Sequence, residues 1–212
     1  MPKSTFYNLN KDKQEVIINA AKEEFTRVPL TQASIAQIIK KAEIPRGSFY
    51  QYFEDKDDLF IEIAKQEAKK KFSMFNELFE LNNGDILKTV DVFVKKAIKN
   101  LEIEQNRSLQ KNIFISMDER IRNRMLPHHE GHPCRIEFKK SIECVARDNL
   151  GITQKEFDYL CKMISGIVFT LFAHYLNDLT SKEECLEIFE FELDVIKRGV
   201  KSRNEYREEK VN

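Results

Sequence analysis

Residues 33–53, ASIAQIIKKAEIPRGSFYQYF, decide the fold of this chain because they place two short helical patterns on either side of a sharp break. Before the break, isoleucines recur at i, i+3 and i+4, which is the spacing of one buried helix face. After it, Pro45 suits the first turn of a new helix, in which Phe49 and Phe53 form a buried i, i+4 pair. The sequence therefore predicts a helix, a tight turn and a second short helix.

The second helix also carries side chains that suit a nucleic-acid contact. With Phe49 and Phe53 pointing inward, Tyr50 and Gln51 project outward, and Arg46 stands at the start of the helix. In a helix-turn-helix, these early side chains of the second helix enter the DNA major groove, where arginine pairs bidentately with guanine or phosphate. The alternative is that the aromatic residues are all core residues of an ordinary helical bundle, and it leaves the exposed polar positions unexplained.

Residues 31–60, TQASIAQIIKKAEIPRGSFYQYFEDKDDLF, resemble the DNA-binding domain of the TetR family of bacterial transcriptional repressors. The positions that match the family motif are Thr31, Ile35, Ala36, Ala42, Ile44, Gly47, Ser48, Phe49, Tyr50, Tyr52, Phe53, Lys56 and Leu59. The resemblance implies an all-α protein in which an N-terminal three-helix DNA-binding domain, residues 1–55 with the helix-turn-helix at about 33–53, precedes a larger helical bundle, residues 56–212, for effector binding and dimerisation.

The same resemblance implies a dimeric, ligand-responsive repressor that binds a pseudo-palindromic double-stranded DNA operator and is released by a small effector. By family position, the contacts to phosphate or groove would be Thr31, Ser48, Tyr50, Tyr52 and Lys56, and the readers of base edges would be Arg46, Gly47 and Gln51.

Glu43 departs from the family pattern, which usually has glycine in this turn. A non-glycine residue at positive φ costs about 1 kcal/mol. Either the turn is less sharp here, or Glu43 accepts the strain.

Helical periodicity continues through the rest of the chain, interrupted by sparse Gly and Pro residues. The sequence predicts about nine helices in all. The predicted spans are about 10–27, 32–42, a short helix after Pro45, 56–81, 84–101, 108–126, 134–149, 153–179 and 182–203. Residues 163–176, MISGIVFTLFAHYL, are apolar almost all the way round, and the last helix has two neighbouring apolar stripes. We therefore expect a homodimer through about 153–203, with burial of both helices inside a monomer as the alternative.

Two further groups of residues are candidates for ligands. The first is an aromatic set that is primarily core but would suit an apolar or aromatic effector: Phe75, Phe79, Phe93, Phe114, Phe138, Phe169 and Phe172, with His174 as a polar contact. The second is the segment HHEGHPC, where His128, His129, His132 and Cys134 have side chains that bind zinc and similar metals. Its prolines and glycine also mark a solvated surface loop. A metal-responsive sensor or metal-dependent enzyme is thus the alternative function.

The composition of the chain narrows the remaining classes of function. Lys plus Arg and Asp plus Glu number 35 each, so any DNA site must be local, and residues 1–56 hold nine basic against seven acidic residues. The N-terminus lacks the apolar region of a secretory signal, and no uninterrupted apolar run of about 18 residues occurs, which predicts a cytoplasmic protein with no membrane partner. The sequence contains neither a phosphate-binding loop nor a nucleophile elbow. We therefore expect that the protein is not an enzyme and binds no cofactor. A helical protein-interaction module without DNA contact is a further rival.

Overall fold

A computed structural model of the chain describes the backbone of residues 1–125 and 133–211 and the side chains of residues 1–125 and 142–203. In this part of the chain the secondary structure consists of eleven α-helices and no strands. They are α1 Ser4–Tyr7, α2 Lys11–Arg27, α3 Ile35–Lys41, α4 Arg46–Tyr52, α5 Lys56–Leu81, α6 Ile86–Asn100, α7 Glu104–Ile115, α8 Glu119–Met125, α9 Pro133–Leu150, α10 Gln154–Leu176 and α11 Lys182–Val211.

The all-α prediction is confirmed, and the helix count differs from it for two local reasons. The four-residue α1 precedes the first predicted helix. The predicted helix over 108–126 is two helices, because α7 ends at Ile115 and Asp118 caps the start of α8. The side chain of Asp118 accepts a hydrogen bond from the backbone N–H of Ile121 at 2.8 Å. The last helix also extends to Val211, past the predicted end at 203.

The chain divides into two compact units, and unit 1 comprises Met1–Lys70 and Leu101–His132. Its core collects aromatic and aliphatic side chains from α1 to α5 together with Leu109 of α7 and Ile121 of α8. The side-chain amide of Asn112 in α7 donates to the carbonyls of Phe25 and Thr26 at 2.8 and 3.0 Å, which satisfies the C-terminal end of α2. Helices α7 and α8 therefore fold with the N-terminal helices; the functional boundary at residue 55 stays a prediction.

Unit 2 comprises Lys71–Asn100 and Pro133–Asn212. Helix α10 begins with a capping box in which Thr153 and Glu156 satisfy each other's backbone N–H groups. The turn after α5 needs a glycine at residue 84, because its φ is +78° and a Cβ there would lie 2.5 Å from Cγ1 of Val145.

Helices α10 and α11 leave much apolar surface uncovered in unit 2. Among the described residues, α10 is the one helix long and apolar enough to cross a membrane by length and composition, and 22% of its most apolar window is buried. The exposed large apolar side chains on these two helices are Tyr159, Met163, Phe169, Ile188, Phe191 and Val195.

Candidate nucleic-acid interface

The turn between α3 and α4 has the 6→1 hydrogen bond of a Schellman motif, from Ile44 to Ile39, directly after the last α-helical bond, from Ala42 to Ile38. The N–H of Ala42 donates to the carbonyl of Ile38 at 2.8 Å, and the N–H of Ile44 donates to the carbonyl of Ile39 at 3.1 Å. Glu43 lies between them with φ of 51°, the left-handed position at which glycine is usual. The turn is therefore as sharp as in the family, and Glu43 accepts the strain of the left-handed conformation.

Replacing Glu43 with glycine is expected to raise the free energy of unfolding by about 1 kcal/mol, because glycine removes the Cβ strain at positive φ. Glu43→Gln is the matched control, since it removes the charge and keeps the Cβ. Urea denaturation of both variants measures the difference. Equal stability of the two variants would contradict the strain argument.

Helix α4 is fixed by its inward face. The side chains of Phe49 and Phe53 are fully buried, with ring centroids 5.3 Å apart, which confirms the predicted i, i+4 pair. Phe6 of α1 lies 4.9 Å from the ring of Phe53. Phe49 in α4 and Phe53 directly after it turn their rings to the same side, so the other side of this seven-residue helix faces away from the core of unit 1.

The predicted DNA contacts divide into exposed and half-buried residues. Thr31, Arg46, Gly47, Tyr50 and Gln51 are exposed, and Ser48, Tyr52 and Lys56 are half-buried. The guanidinium of Arg46 lies 6.0 Å from the centroid of the Tyr50 ring, whose residue is 40% exposed. The ring of Tyr52 instead lies 6.5 Å from that of Phe6. The structure thus places Arg46, Tyr50 and Gln51 on one accessible helix; their contact with DNA stays a prediction.

Lys56 has a structural contact that sequence reasoning missed. Its Nζ donates to the carbonyls of Thr31 and Ala33, both at 3.1 Å, and so fixes the loop that leads into α3. The loop carries Thr31, the other predicted phosphate contact on this side of the helix-turn-helix. No sequence signal indicates this pairing, because the partners lie 25 and 23 positions away.

Glu24 holds α3 from the neighbouring helix α2. Its carboxylate is 5% exposed, accepts the backbone N–H of Ser34 at 2.8 Å and pairs bidentately with Arg27 at 2.8 and 3.0 Å. Burial opposes ionisation, but the hydrogen bonds from Arg27 and Ser34 outweigh it and lower the pKa of Glu24. This buried carboxylate was also missed, since nothing in the sequence separates it from a surface glutamate.

Asp55, just before α5, and Asp57 and Asp58 in its first turn converge on Arg124 of α8. The guanidinium donates to Asp55 at 2.9 and 3.1 Å, to Asp57 at 3.0 Å and to Asp58 at 2.7 Å. Asp58 is 1% exposed, and Arg120 also pairs with Asp57. Burial opposes their ionisation, but the hydrogen bonds from Arg124 to Asp55 and from the terminal amine to Asp58 outweigh it and lower both pKa values. We call Asp55, Asp57, Asp58 and Arg124 the aspartate cluster; it lies directly after α4.

The predicted effector residues are only partly brought together. In unit 2 the rings of Phe75 and Phe93 lie 5.3 Å apart, and Phe79 is buried. Phe172 is half-buried, whereas Phe169 is 63% exposed and His174 is exposed. Phe114 belongs to unit 1, and the side chain of Phe138 lies outside the described residues. The effector role of this set stays a prediction.

The predicted metal ligands belong to the segment between α8 and the start of α9. His128, His129 and His132 lie outside the described residues, as does the side chain of Cys134. Over residues 1–125 and 142–203, no group of three or more His, Cys, Asp or Glu side chains is arranged to hold a metal ion.

Taken together, the short α3, the sharp turn and the half-exposed α4 define a helix-turn-helix DNA-binding protein. Residues 17–63 match the family model of bacterial regulatory proteins of the tetR family, and residues 85–200 match that of the tetracyclin repressor-like C-terminal domain. The second match covers more than half of the chain. The chain belongs to the TetR family of transcriptional regulators.

Solved structures agree with this fold. FadR of Bacillus subtilis, a transcriptional regulator solved in complex with stearoyl-CoA, is 16% identical with a TM-score of 0.62, over 85% of this chain and 96% of FadR. A TetR regulator from Rhodococcus sp. RHA1 is 16% identical with a TM-score of 0.56, over 86% and 94%. One from Marinobacter aquaeolei VT8 is 14% identical with a TM-score of 0.53, over 87% and 97%. No curated protein matches the sequence.

Proposed function

We propose that this regulator is a cytoplasmic, ligand-responsive repressor that binds a pseudo-palindromic operator as a homodimer. The observation that carries the DNA-binding part is the orientation of α4: buried Phe49 and Phe53 leave Arg46, Tyr50 and Gln51 accessible on one short helix. Arginine and glutamine read guanine and adenine edges in the major groove, and tyrosine hydroxyls donate to phosphates. Thr31, Gly47, Ser48, Tyr52 and Lys56 complete the proposed contact set.

The test is selection of duplex DNA from a random library by the purified full chain, followed by gel shift and footprinting. We expect two inverted half-sites whose centres are about one helical turn, 34–36 Å, apart. Recovery of no preferred duplex would overturn the proposal and favour an interaction module without DNA contact.

The dimer is proposed to form through the exposed apolar side chains of α10 and α11. A helix of which only 22% of the most apolar window is buried needs a further partner, and a second copy of the same two helices supplies a matching surface. Gly166 and Gly199 lie on these helices with no atom within 4 Å of a Cβ built at either position, so neither is needed for packing within one chain. Small residues of this kind allow two helices to approach closely.

Introducing a charge into this surface is expected to dissociate the dimer. Phe191→Glu places a carboxylate at a side chain that is 70% exposed in one chain and would be buried between two. We expect a shift from dimer to monomer in sedimentation velocity at micromolar concentration. Asn76→Glu adds the same charge at an exposed polar position of α5, outside α10 and α11, and should leave the dimer intact. A monomeric wild-type chain, or an unchanged Phe191→Glu dimer, would overturn the interface.

The effector is proposed to bind in unit 2 and to be small and apolar or aromatic. The pair of Phe75 and Phe93 and the buried Phe79 provide apolar side chains of the kind that line such sites. Because FadR holds stearoyl-CoA in the same fold, stearoyl-CoA is the first probe to add to the DNA complex, with free coenzyme A as the control. Release of DNA by the acylated molecule alone would support an apolar effector, and release by both would contradict it.

A further inference from the structure

The C-terminal end of α4 is capped by a segment far away in the sequence. An α-helix leaves its last carbonyls without intrahelical partners, and these must be satisfied from elsewhere. The carbonyls of Tyr50, Gln51 and Tyr52 are such groups. The carbonyl of Tyr50 accepts Nζ of Lys3 at 2.8 Å, that of Tyr52 accepts the backbone N–H of Lys3 at 2.8 Å, and that of Gln51 accepts the hydroxyl of Thr5.

The capping segment is itself anchored on unit 1. Phe6 is 1% exposed and its ring lies against that of Phe53 at 4.9 Å. The hydroxyl of Tyr7 donates to Oε2 of Glu62 in α5 at 3.0 Å. Partial burial, followed by the charge of Glu62, raises the pKa of Tyr7 to about 12, so this hydroxyl stays a hydrogen-bond donor well into alkaline pH. Residues 3–7 therefore connect α4 to α5, with Phe6 as their buried anchor.

We propose that Lys3 and Thr5 are positioning residues of the recognition helix: they hold the last turn of α4 and thereby set the geometry of Tyr50 and Gln51. A seven-residue helix is marginal on its own, so capping of three consecutive carbonyls determines how often its last turn opens. The ammonium of Lys3 also lies at the negative end of the helix dipole. The consequence for DNA binding rests on the function proposed above, whereas the capping itself does not.

Amide hydrogen exchange of the free protein tests the capping without any DNA. In Lys3→Ala and in Thr5→Val we expect the amides of Tyr50 to Phe53 to exchange about threefold to tenfold faster, the effect of one lost hydrogen bond. Amides in the middle of α2 should be unchanged. Ser4→Ala is the matched control in the same segment, and Thr5→Ser should restore the wild-type rates. Wild-type exchange of α4 in the double variant Lys3→Ala, Thr5→Val would overturn the proposal.

DNA binding supplies the second measurement, on the duplex selected by the wild-type protein. The double variant is expected to bind about tenfold more weakly, because a fraying α4 presents its side chains less often. Thr5→Val is the decisive variant because it changes no charge. Its affinity for the duplex should fall, while the slope of log K against log salt concentration should stay that of the wild type. If Thr5→Val binds as the wild type does and Lys3→Ala lowers the slope by about one, Lys3 is a phosphate contact and the positioning role is wrong. If the wild type selects no DNA, the exchange measurement alone decides.

Discussion

Replacing Arg124 with alanine is expected to lower the free energy of unfolding by about 2 kcal/mol, because it removes the cation that Asp55, Asp57 and Asp58 share. Asp58 is 1% exposed and loses a hydrogen bond of 2.7 Å, and Asp55 loses both of its bonds to the guanidinium. Asp57 keeps its pairing with Arg120, Asp58 keeps its pairing with the terminal amine, and the side chain of Asp55 is 43% exposed. The effect is therefore smaller than the roughly 3–5 kcal/mol of a fully broken buried ion pair.

Urea denaturation at pH 7 measures this loss, and Arg122→Ala is the matched control. Arg122 is exposed on the same helix, so its removal should change stability by no more than about 0.5 kcal/mol. Arg124→Lys is expected to fall between the two, because a lysine cannot reproduce the planar fork that reaches three carboxylates. Equal losses for the Arg124 and Arg122 alanine variants would show that the aspartate cluster contributes nothing specific.

The pH dependence of the same variants gives an independent check. The folded-state pKa values of Asp55 and Asp58 are lowered, so their contribution to stability is fully present above the unfolded-state pKa of about 3.9 and is lost as the pH falls through the folded-state values. Protonated aspartates do not need a cation. The stability difference between the wild type and Arg124→Ala should therefore shrink as the pH is lowered through this range.

Replacing Arg46 with alanine is expected to weaken operator binding by about 2–6 kcal/mol, which is roughly 30-fold or more. A bidentate arginine–guanine pair is worth about 1–3 kcal/mol, and the proposed dimer presents two recognition helices. Because Arg46 is exposed, the stability of the fold should not change. Gel shift on the selected duplex and on a scrambled duplex of the same length measures the specific and the non-specific affinity.

Lys11→Ala is the matched control, since it removes the same charge from an exposed position at the start of α2. It should leave the ratio of specific to non-specific affinity unchanged. For Arg46→Ala that ratio should fall, because a base-edge contact contributes to sequence discrimination. An equal loss on both duplexes would assign Arg46 to phosphate and contradict its predicted role in base readout.

The sequence indicated the role of Arg46 but not that of Arg124. Arg46 was predicted from the sequence, because its place at the start of a short helix follows from local spacing. The aspartate cluster was not, because Arg124 and Asp58 are separated by 66 positions and each reads as an ordinary surface charge. Lys3 and Thr5 were missed for the same reason: the carbonyls they bond lie 47 and 46 positions along the chain.

The sequence by itself determined the all-α class, the break at residues 42–45 and the inward pair of Phe49 and Phe53, since helical periodicity and turn chemistry operate over three or four residues. The family followed from the resemblance of residues 31–60 to the TetR motif. Only the tertiary structure decided which distant contacts hold the helices of unit 1 together: the cap on α4 from residues 3–5, the bond from Glu24 to the start of α3, and the aspartate cluster between α5 and α8. Such contacts join side chains that are distant along the chain, and folding brings them together without leaving any periodic pattern in the sequence.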